Sequence, residues 1–115
     1  MINFVTLFAA DLETTADVYR ALGLTFVGER HGDGPFHLAH DNGGLVVEIY
    51  QKAQANGDGV MLGLEVADLA SARAAILKTA ARIIKDIAKV DGTARMIVAD
   101  PEGRQIYVQE QTLAA

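Results

Sequence analysis

Histidines and carboxylates are the side chains of this sequence that could carry out acid-base chemistry or hold a metal ion. The 115 residues include no cysteine, which excludes a disulfide, a thiolate nucleophile and a thiolate-ligated metal. Two of the three histidines, His37 and His40, lie three positions apart on a predicted strand, so their side chains should point to opposite faces and not share one ion. His31 lies at a predicted strand end. There it is either a donor at the rim of a pocket or, as we favour, a solvated turn residue.

An internal repeat organises the elements that must position these side chains. Ala10-Asp11-Leu12 recurs as Ala67-Asp68-Leu69, and each copy follows an apolar, strand-like run and opens a helical pattern. Later in each half a polar turn, 41–44 or 100–103, leads into a further strand. Both halves therefore share one plan of strand, helix and three strands, a βαβββ module.

Capping residues and turns set the boundaries of the predicted elements. In the first half Asp11 suits the N-cap of a helix, and Gly23 is a natural left-handed stop. In the second half Asp68 is the N-cap, but no glycine marks the end of the helix near Lys78. The predicted strands are 4–9, 25–30, 36–40 and 45–51 in the first half, and 60–66, 82–87, 94–99 and 105–110 in the second.

Composition favours a single folded domain over 1–115, with module one at 1–56 and module two at 57–115. Half of the residues are hydrophobic and 22% are charged, a balance typical of a chain that buries a core. The formal net charge is −5 and the basic residues are dispersed, so nucleic acid is not an expected partner.

The apolar start is predicted to be a strand rather than a signal peptide. With no apolar run long enough to cross a bilayer, we expect no membrane association and a cytoplasmic location.

The order of these motifs resembles the vicinal oxygen chelate superfamily of glyoxalases, bleomycin resistance proteins and extradiol dioxygenases. The first strand, Asp11-Leu12 and a helix that ends in 18–24 resemble its opening. The segment 45–50 resembles the fourth strand of its first module, and 100–104 with Ile106 and Val108 resembles its final hairpin. The resemblance implies an α+β fold in which two βαβββ modules form an open, curled mixed sheet around a cavity. It also implies a homodimer.

Metal-dependent members of this superfamily take ligands from the first and fourth strands of each module. By register with the repeated motifs, those positions here are Phe4, Glu48, Met61 and Tyr107. Only Glu48 is a usual ligand of a divalent ion, and such ions need several converging donors. The resemblance therefore implies that the usual metal site is absent. We expect no cofactor, and a divalent metal only through non-standard ligands.

The same positions predict a small-molecule pocket lined by Phe4, Tyr50, Met61 and Tyr107 around Glu48, suited to a flat or apolar ligand with one donor or cation. Glu48 is a candidate general base. His37 is its candidate partner if it faces inward, because the third strand flanks the cavity in this fold, whereas an outward-facing His37 would be an ordinary surface residue. The alternative we favour is that Glu48 accepts a hydrogen bond from Tyr107 and only shapes the pocket.

Two functions remain open at this stage. The first is a metal-free protein that sequesters a hydrophobic or cationic small molecule, which the missing ligands favour. The second is a metal-independent lyase or isomerase in which Glu48, with His37, moves a proton next to a carbonyl.

Overall fold

The computed structural model describes residues 1–53 and 58–112. The predicted junction at Gly57, and with it the boundary between 56 and 57, lies outside the described residues. The first module consists of β1 (Ile2–Ala9), α1 (Leu12–Ala21), β2 (Val27–Glu29), β3 (His37–Asp41) and β4 (Val46–Gln51). The second consists of β5 (Val60–Val66), α2 (Leu69–Ile76), β6 (Arg82–Val90), β7 (Thr93–Ala99) and β8 (Gln105–Glu110). The predicted repeat of strand, helix and three strands is confirmed.

The strands form one eight-stranded mixed sheet in the order β2-β3-β4-β1-β5-β8-β7-β6. Within each module the first strand runs parallel to the fourth, and β1 pairs antiparallel with β5 to join the modules within one chain. The outer strands β2 and β6 do not pair with each other, so the sheet is open. This confirms the predicted α+β class. No helix within the described ranges is long and apolar enough to cross a membrane.

The helix ends follow the capping residues that the sequence offers. Asp11 accepts a hydrogen bond from the Thr14 amide at 3.1 Å, and Asp68 accepts from the amides of Ala70 and Ser71. Gly23, with a φ of 107°, ends α1 in the left-handed conformation. Without such a glycine, α2 ends at Ile76, two residues before the predicted end.

Several strand boundaries differ from the predicted ones, and the differences at β2 and β6 have local reasons. β2 is shorter because the backbone of Thr25 turns to the side chain of His40, with its carbonyl 2.8 Å from His40 Nδ1. β6 is longer because Asp91 and Gly92 both have positive φ, which is the conformation of a two-residue hairpin turn. The Asp-Gly pair was therefore a hairpin signal that the sequence analysis did not use.

Each helix covers one face of its own module. Ala16 of α1 packs on Leu38 and Ile49, and all three are buried. Leu69 of α2 packs on an equivalent cluster with the buried side chains Met96, Val98 and Val108. Because side chains alternate along a strand, the neighbours of these core residues point to the opposite face.

That opposite face is curled into a concave surface. Pro35, next to β3, and Lys85, on β6, line the same cleft, although many strands separate them in the sheet order. The helices occupy the convex side, so the concave side is free to contact a ligand.

Gly63 controls the position of the Phe4 ring on this concave face. The two residues are cross-strand partners in the β1–β5 pair, and a Cβ atom added to Gly63 would overlap the Phe4 ring. Glycine here serves the close approach of an aromatic ring to the backbone rather than a turn.

We predict that Gly63→Ala lowers the free energy of unfolding by about 1–3 kcal/mol, because the added methyl group must displace the Phe4 ring. Urea denaturation of the single and double variants would test this. In a Phe4→Ala background the same change should cost less, since the overlapping ring is gone. An equal cost in both backgrounds would contradict the proposed contact.

Candidate functional site

The central cleft of the concave face brings the four predicted positions together. It has a volume of about 730 Å³ and is lined by Phe4, Glu48, Met61 and Tyr107. Tyr50 also lines it, as do Thr6, Phe8, Pro35, Lys85, Ile97 and Gln109. The pocket geometry expected from the sequence is thus present, whereas the binding of a ligand there stays a prediction.

Strand register explains why these side chains meet. In the central pairs Thr6 lies opposite both Glu48 and Met61, and Phe4 lies next to the Gly63–Tyr107 pair. The rings of Phe4 and Tyr107 meet edge to face, with centroids 5.7 Å apart. Thr6 is buried and donates a hydrogen bond to Glu48 Oε1 at 3.4 Å.

Glu48, His37 and Tyr50 form a polar cluster on the module-one wall of this cleft. Glu48 Oε2 lies 3.3 Å from His37 Nε2, and the Tyr50 hydroxyl lies 3.4 Å from each of these two atoms. His37 is fully buried and its ring stacks on Tyr50 with centroids 4.2 Å apart. Of the two orientations left open for His37, the structure shows the inward one, next to Glu48.

The predicted hydrogen bond from Tyr107 to Glu48 is wrong. Within the described residues, the hydrogen-bond donors to Glu48 are Thr6 and Tyr50, whereas the Tyr107 ring contacts Phe4. Tyr50 is two residues from Glu48 on the same strand and therefore shares its face, which brings its hydroxyl closer.

Burial and the neighbouring carboxylates raise the pKa of Tyr50 to about 12. Desolvation is the largest cause, followed by the charge of Glu48, the hydrogen bond to Glu48 and the charge of Glu29. Tyr50 is therefore protonated at neutral pH and has one proton to donate.

A second depression continues the concave face over module one. This module-one cleft has a volume of about 570 Å³ and shares Phe4, Glu48 and Gln109 with the central cleft. Its lining includes the carboxylates of Glu29, Asp41 and Glu48, and within the described residues it includes no lysine or arginine. The concave face of module one is therefore acidic.

The module-one cleft also contains an unsatisfied acceptor. Asn3 lines it and donates through Nδ2 to Glu65 and Gln109, but its buried Oδ1 atom has no hydrogen-bond partner. Because this oxygen is buried, a ligand in the cleft would satisfy it only after the Asn3 side chain moves.

Two of the three histidines, His31 and His37, lie close together, whereas His40 lies apart from them. His31 is exposed but lines the module-one cleft, and its ring centroid lies 5.1 Å from that of His37. His40 packs instead against Phe26 and the backbone of Thr25. His37 and His40 thus do not converge on one point, as their spacing predicted.

Glu29 and Thr6 belong to the site but were not among its predicted residues. Glu29 is the cross-strand partner of His37, and its carboxylate lies 3.6 Å from His37 Nε2. A hairpin centred on the turn after His31 pairs these two residues. The register of β2 with β3 could therefore have identified Glu29 as a neighbour of His37 from the sequence.

Phe4, Glu48, Met61 and Tyr107 occupy the four positions that correspond to metal-ligand positions in the superfamily. They provide one usual metal ligand, Glu48, beside a phenol and two apolar side chains. These residues do not fit the superfamily's usual metal, because a divalent ion needs several converging donors. A different group, Glu29, His31 and His37, places one potential ligand atom of each within 4.8 Å of the others.

We predict that one tyrosine titrates near pH 12 in the folded protein and that Tyr50→Phe removes this phase. Phenolate absorbance after a rapid pH jump would measure it. Glu48→Gln should lower the midpoint only in part, because burial raises the pKa more than the charge of Glu48 does. A midpoint unaffected by Tyr50→Phe would contradict the assignment.

Comparison with known proteins agrees with the fold and the repeat. The family model of the glyoxalase/bleomycin resistance protein/dioxygenase superfamily matches residues 1–108. Among curated proteins no match was found.

Several solved structures share the fold at low identity. A hypothetical protein from Bacillus halodurans C-125 is 12% identical with a TM-score of 0.72, covering 100% of this chain and 96% of its own. A superfamily member from Vibrio splendidus 12B01 is 16% identical with a TM-score of 0.67, covering 96% and 100%. Methylmalonyl-CoA epimerase from Mycobacterium tuberculosis is 16% identical with a TM-score of 0.62, covering 97% and 88%. The family model and the two-module fold together establish that this chain belongs to the glyoxalase/bleomycin resistance protein/dioxygenase superfamily.

Proposed function

We propose that this protein binds and sequesters a small molecule that combines a flat apolar body with a positive charge. The observation that carries the proposal is the charge of the concave face. Glu29, Asp41 and Glu48 line it, and Lys85 is the one cationic side chain among its described lining residues. A cation bound near Glu48 would displace water and form an ion pair with the Glu48 carboxylate. The negative charges of the surrounding carboxylates would stabilise the bound cation further.

The walls of the central cleft supply the apolar contact. Phe4, Tyr107 and Met61 form one side, and Tyr50 with Phe8 forms the other, with ring centroids of the latter pair 6.2 Å apart. Aromatic and thioether side chains of this kind offer a large contact area to a flat ligand. Such walls also strengthen a charge interaction with Glu48, because they exclude water.

The comparisons agree with the proposal at the level of the family. The superfamily includes bleomycin resistance proteins, dioxygenases and glyoxalases. One of the structural neighbours is an epimerase. Since this fold supports several chemistries, the side chains at the site must distinguish them. Here the loss of three of four ligand positions supports binding without the usual metal.

We predict that 9-aminoacridine, a flat cation, binds the chelator-treated protein and that Glu48→Gln weakens binding by about tenfold or more. One charge-assisted hydrogen bond contributes about 1.5–3 kcal/mol, which corresponds to that range. Fluorescence titration in EDTA would measure the affinity. The flat anion anthracene-9-carboxylate should bind far more weakly.

Glu102→Gln is the matched control, because it removes the same charge from an exposed turn outside the clefts. It should leave the affinity for 9-aminoacridine unchanged. Equal affinities for the cation and the anion, or equal effects of the two glutamine variants, would argue against a carboxylate-based site. The expected homodimer stays a separate prediction, which light scattering of the full chain would test.

A second function, proton transfer next to a carbonyl, is favoured by the Glu48–His37–Tyr50 cluster. Glu48 lies in the central cleft, where it could act as a general base. Tyr50 is protonated at neutral pH and could donate a hydrogen bond to a developing oxyanion. His37 would hold Glu48 in position through the 3.3 Å contact when both of its ring nitrogens carry a proton.

For this second function we predict exchange of solvent deuterium into the hemithioacetal of methylglyoxal and glutathione, followed by NMR in D₂O with EDTA. Glu48→Gln should reduce the rate by about 100-fold or more, as expected for loss of a general base. Tyr50→Phe should slow it less. Exchange no faster than in protein-free buffer would exclude proton transfer on this substrate class.

A further inference from the structure

We propose that Glu29, His31 and His37 form a binding site for a zinc-type divalent cation at the module-one end of the concave face. The site lies on β2, β3 and the turn between them, whereas the superfamily positions lie on the first and fourth strands. The proposal does not depend on the proposed function, because it concerns another occupant and rests on the two imidazoles, although Glu29 and Glu48 contribute negative charge to both.

The protonation of His37 is the first step of the argument. His37 Nδ1 lies 3.2 Å from the carbonyl oxygen of Pro35, which can only accept a hydrogen bond. Nδ1 therefore carries the proton, and in the neutral ring Nε2 presents a lone pair. Ligating histidines in metal sites are held in this way, with the second ring nitrogen donating to a carbonyl or carboxylate.

The surroundings of that lone pair are rich in acceptors. Glu29 Oε1 lies 3.6 Å and Glu48 Oε2 lies 3.3 Å from His37 Nε2. The Tyr50 hydroxyl is 3.4 Å from both Nε2 and Glu48, but its single proton can serve only one of them. A buried lone pair that faces two carboxylates is unfavourable unless a positive charge lies between them. Either a second proton on His37 or a metal ion supplies that charge.

Distances and exposure favour the metal ion. Zinc bonds of about 2.0–2.1 Å in a tetrahedron place neighbouring ligand atoms about 3.3–3.4 Å apart, close to the 3.6 Å between His37 Nε2 and Glu29 Oε1. His31 provides the second imidazole within 4.8 Å, and its exposed turn position lets it move inward. Two neutral imidazoles with Glu29 and the adjacent charge of Glu48 balance a dipositive ion.

Isothermal titration of the chelator-treated full chain with ZnCl₂ tests the site. We expect one zinc ion per chain, with binding weakened about tenfold or more by His31→Gln and by Glu29→Gln. Both side chains are partly or fully exposed, so these variants should fold. The matched controls His40→Gln and Glu102→Gln should bind zinc as the unaltered chain does. Absence of saturable binding, or equal loss in the controls, would overturn the proposal.

Long-range ¹H–¹⁵N spectra of the histidine rings locate the ion independently of any variant. Zinc should shift Nε2 of His37 and a ring nitrogen of His31, leave Nδ1 of His37 protonated, and leave His40 unchanged. Shifts confined to His40 or to no histidine would overturn the site. Because aminoacridine binding is measured in EDTA and zinc binding without the dye, failure of one proposal is distinguishable from failure of the other.

Discussion

The antiparallel pairing of β1 with β5 is the constraint on which the concave face depends. Each module by itself is a four-stranded sheet with a helix on one side. Joining the two first strands places β4 and β8 on either side of the pair, so the central strands of both modules contribute to one surface. The helices cover the other surface and bury the alternate side chains of the same strands. Curvature of the sheet then closes this surface into the clefts that we describe.

The carboxylate and histidine side chains of the site lie in module one. His37, Glu48 and Tyr50 lie on adjacent strands, and Glu29 reaches them from the sheet edge. The equivalent side of module two is formed by Met61, Ile97 and Tyr107, with Lys85 beyond them. The duplicated fold has therefore become asymmetric in chemistry, with an acidic half that attracts cations and an apolar half that provides contact area.

The asymmetry has an energetic consequence for His37. A fully buried imidazole that faces carboxylates needs a positive charge, from a second ring proton or from a bound cation, since the low polarity of its surroundings increases the cost of unpaired acceptors. This requirement connects the organic cation of the proposed function with the zinc ion of the further inference. Both occupants would neutralise the same excess of negative charge, the first near Glu48 and the second between Glu29 and the two imidazoles.

The sequence by itself determined the repeated βαβββ plan, the N-caps Asp11 and Asp68, and the location of most strands. These features depend on local periodicity and capping, which short segments express without their neighbours. The family resemblance assigned the first and fourth strands of each module to one cavity, and the repeat then identified Phe4, Glu48, Met61 and Tyr107 as the positions that share it. Only the tertiary structure decided what Glu48 contacts, that His37 faces inward, and that Glu29 and Thr6 complete the cluster. Those contacts depend on the register between strands far apart in sequence and on sheet curvature, neither of which a local pattern encodes.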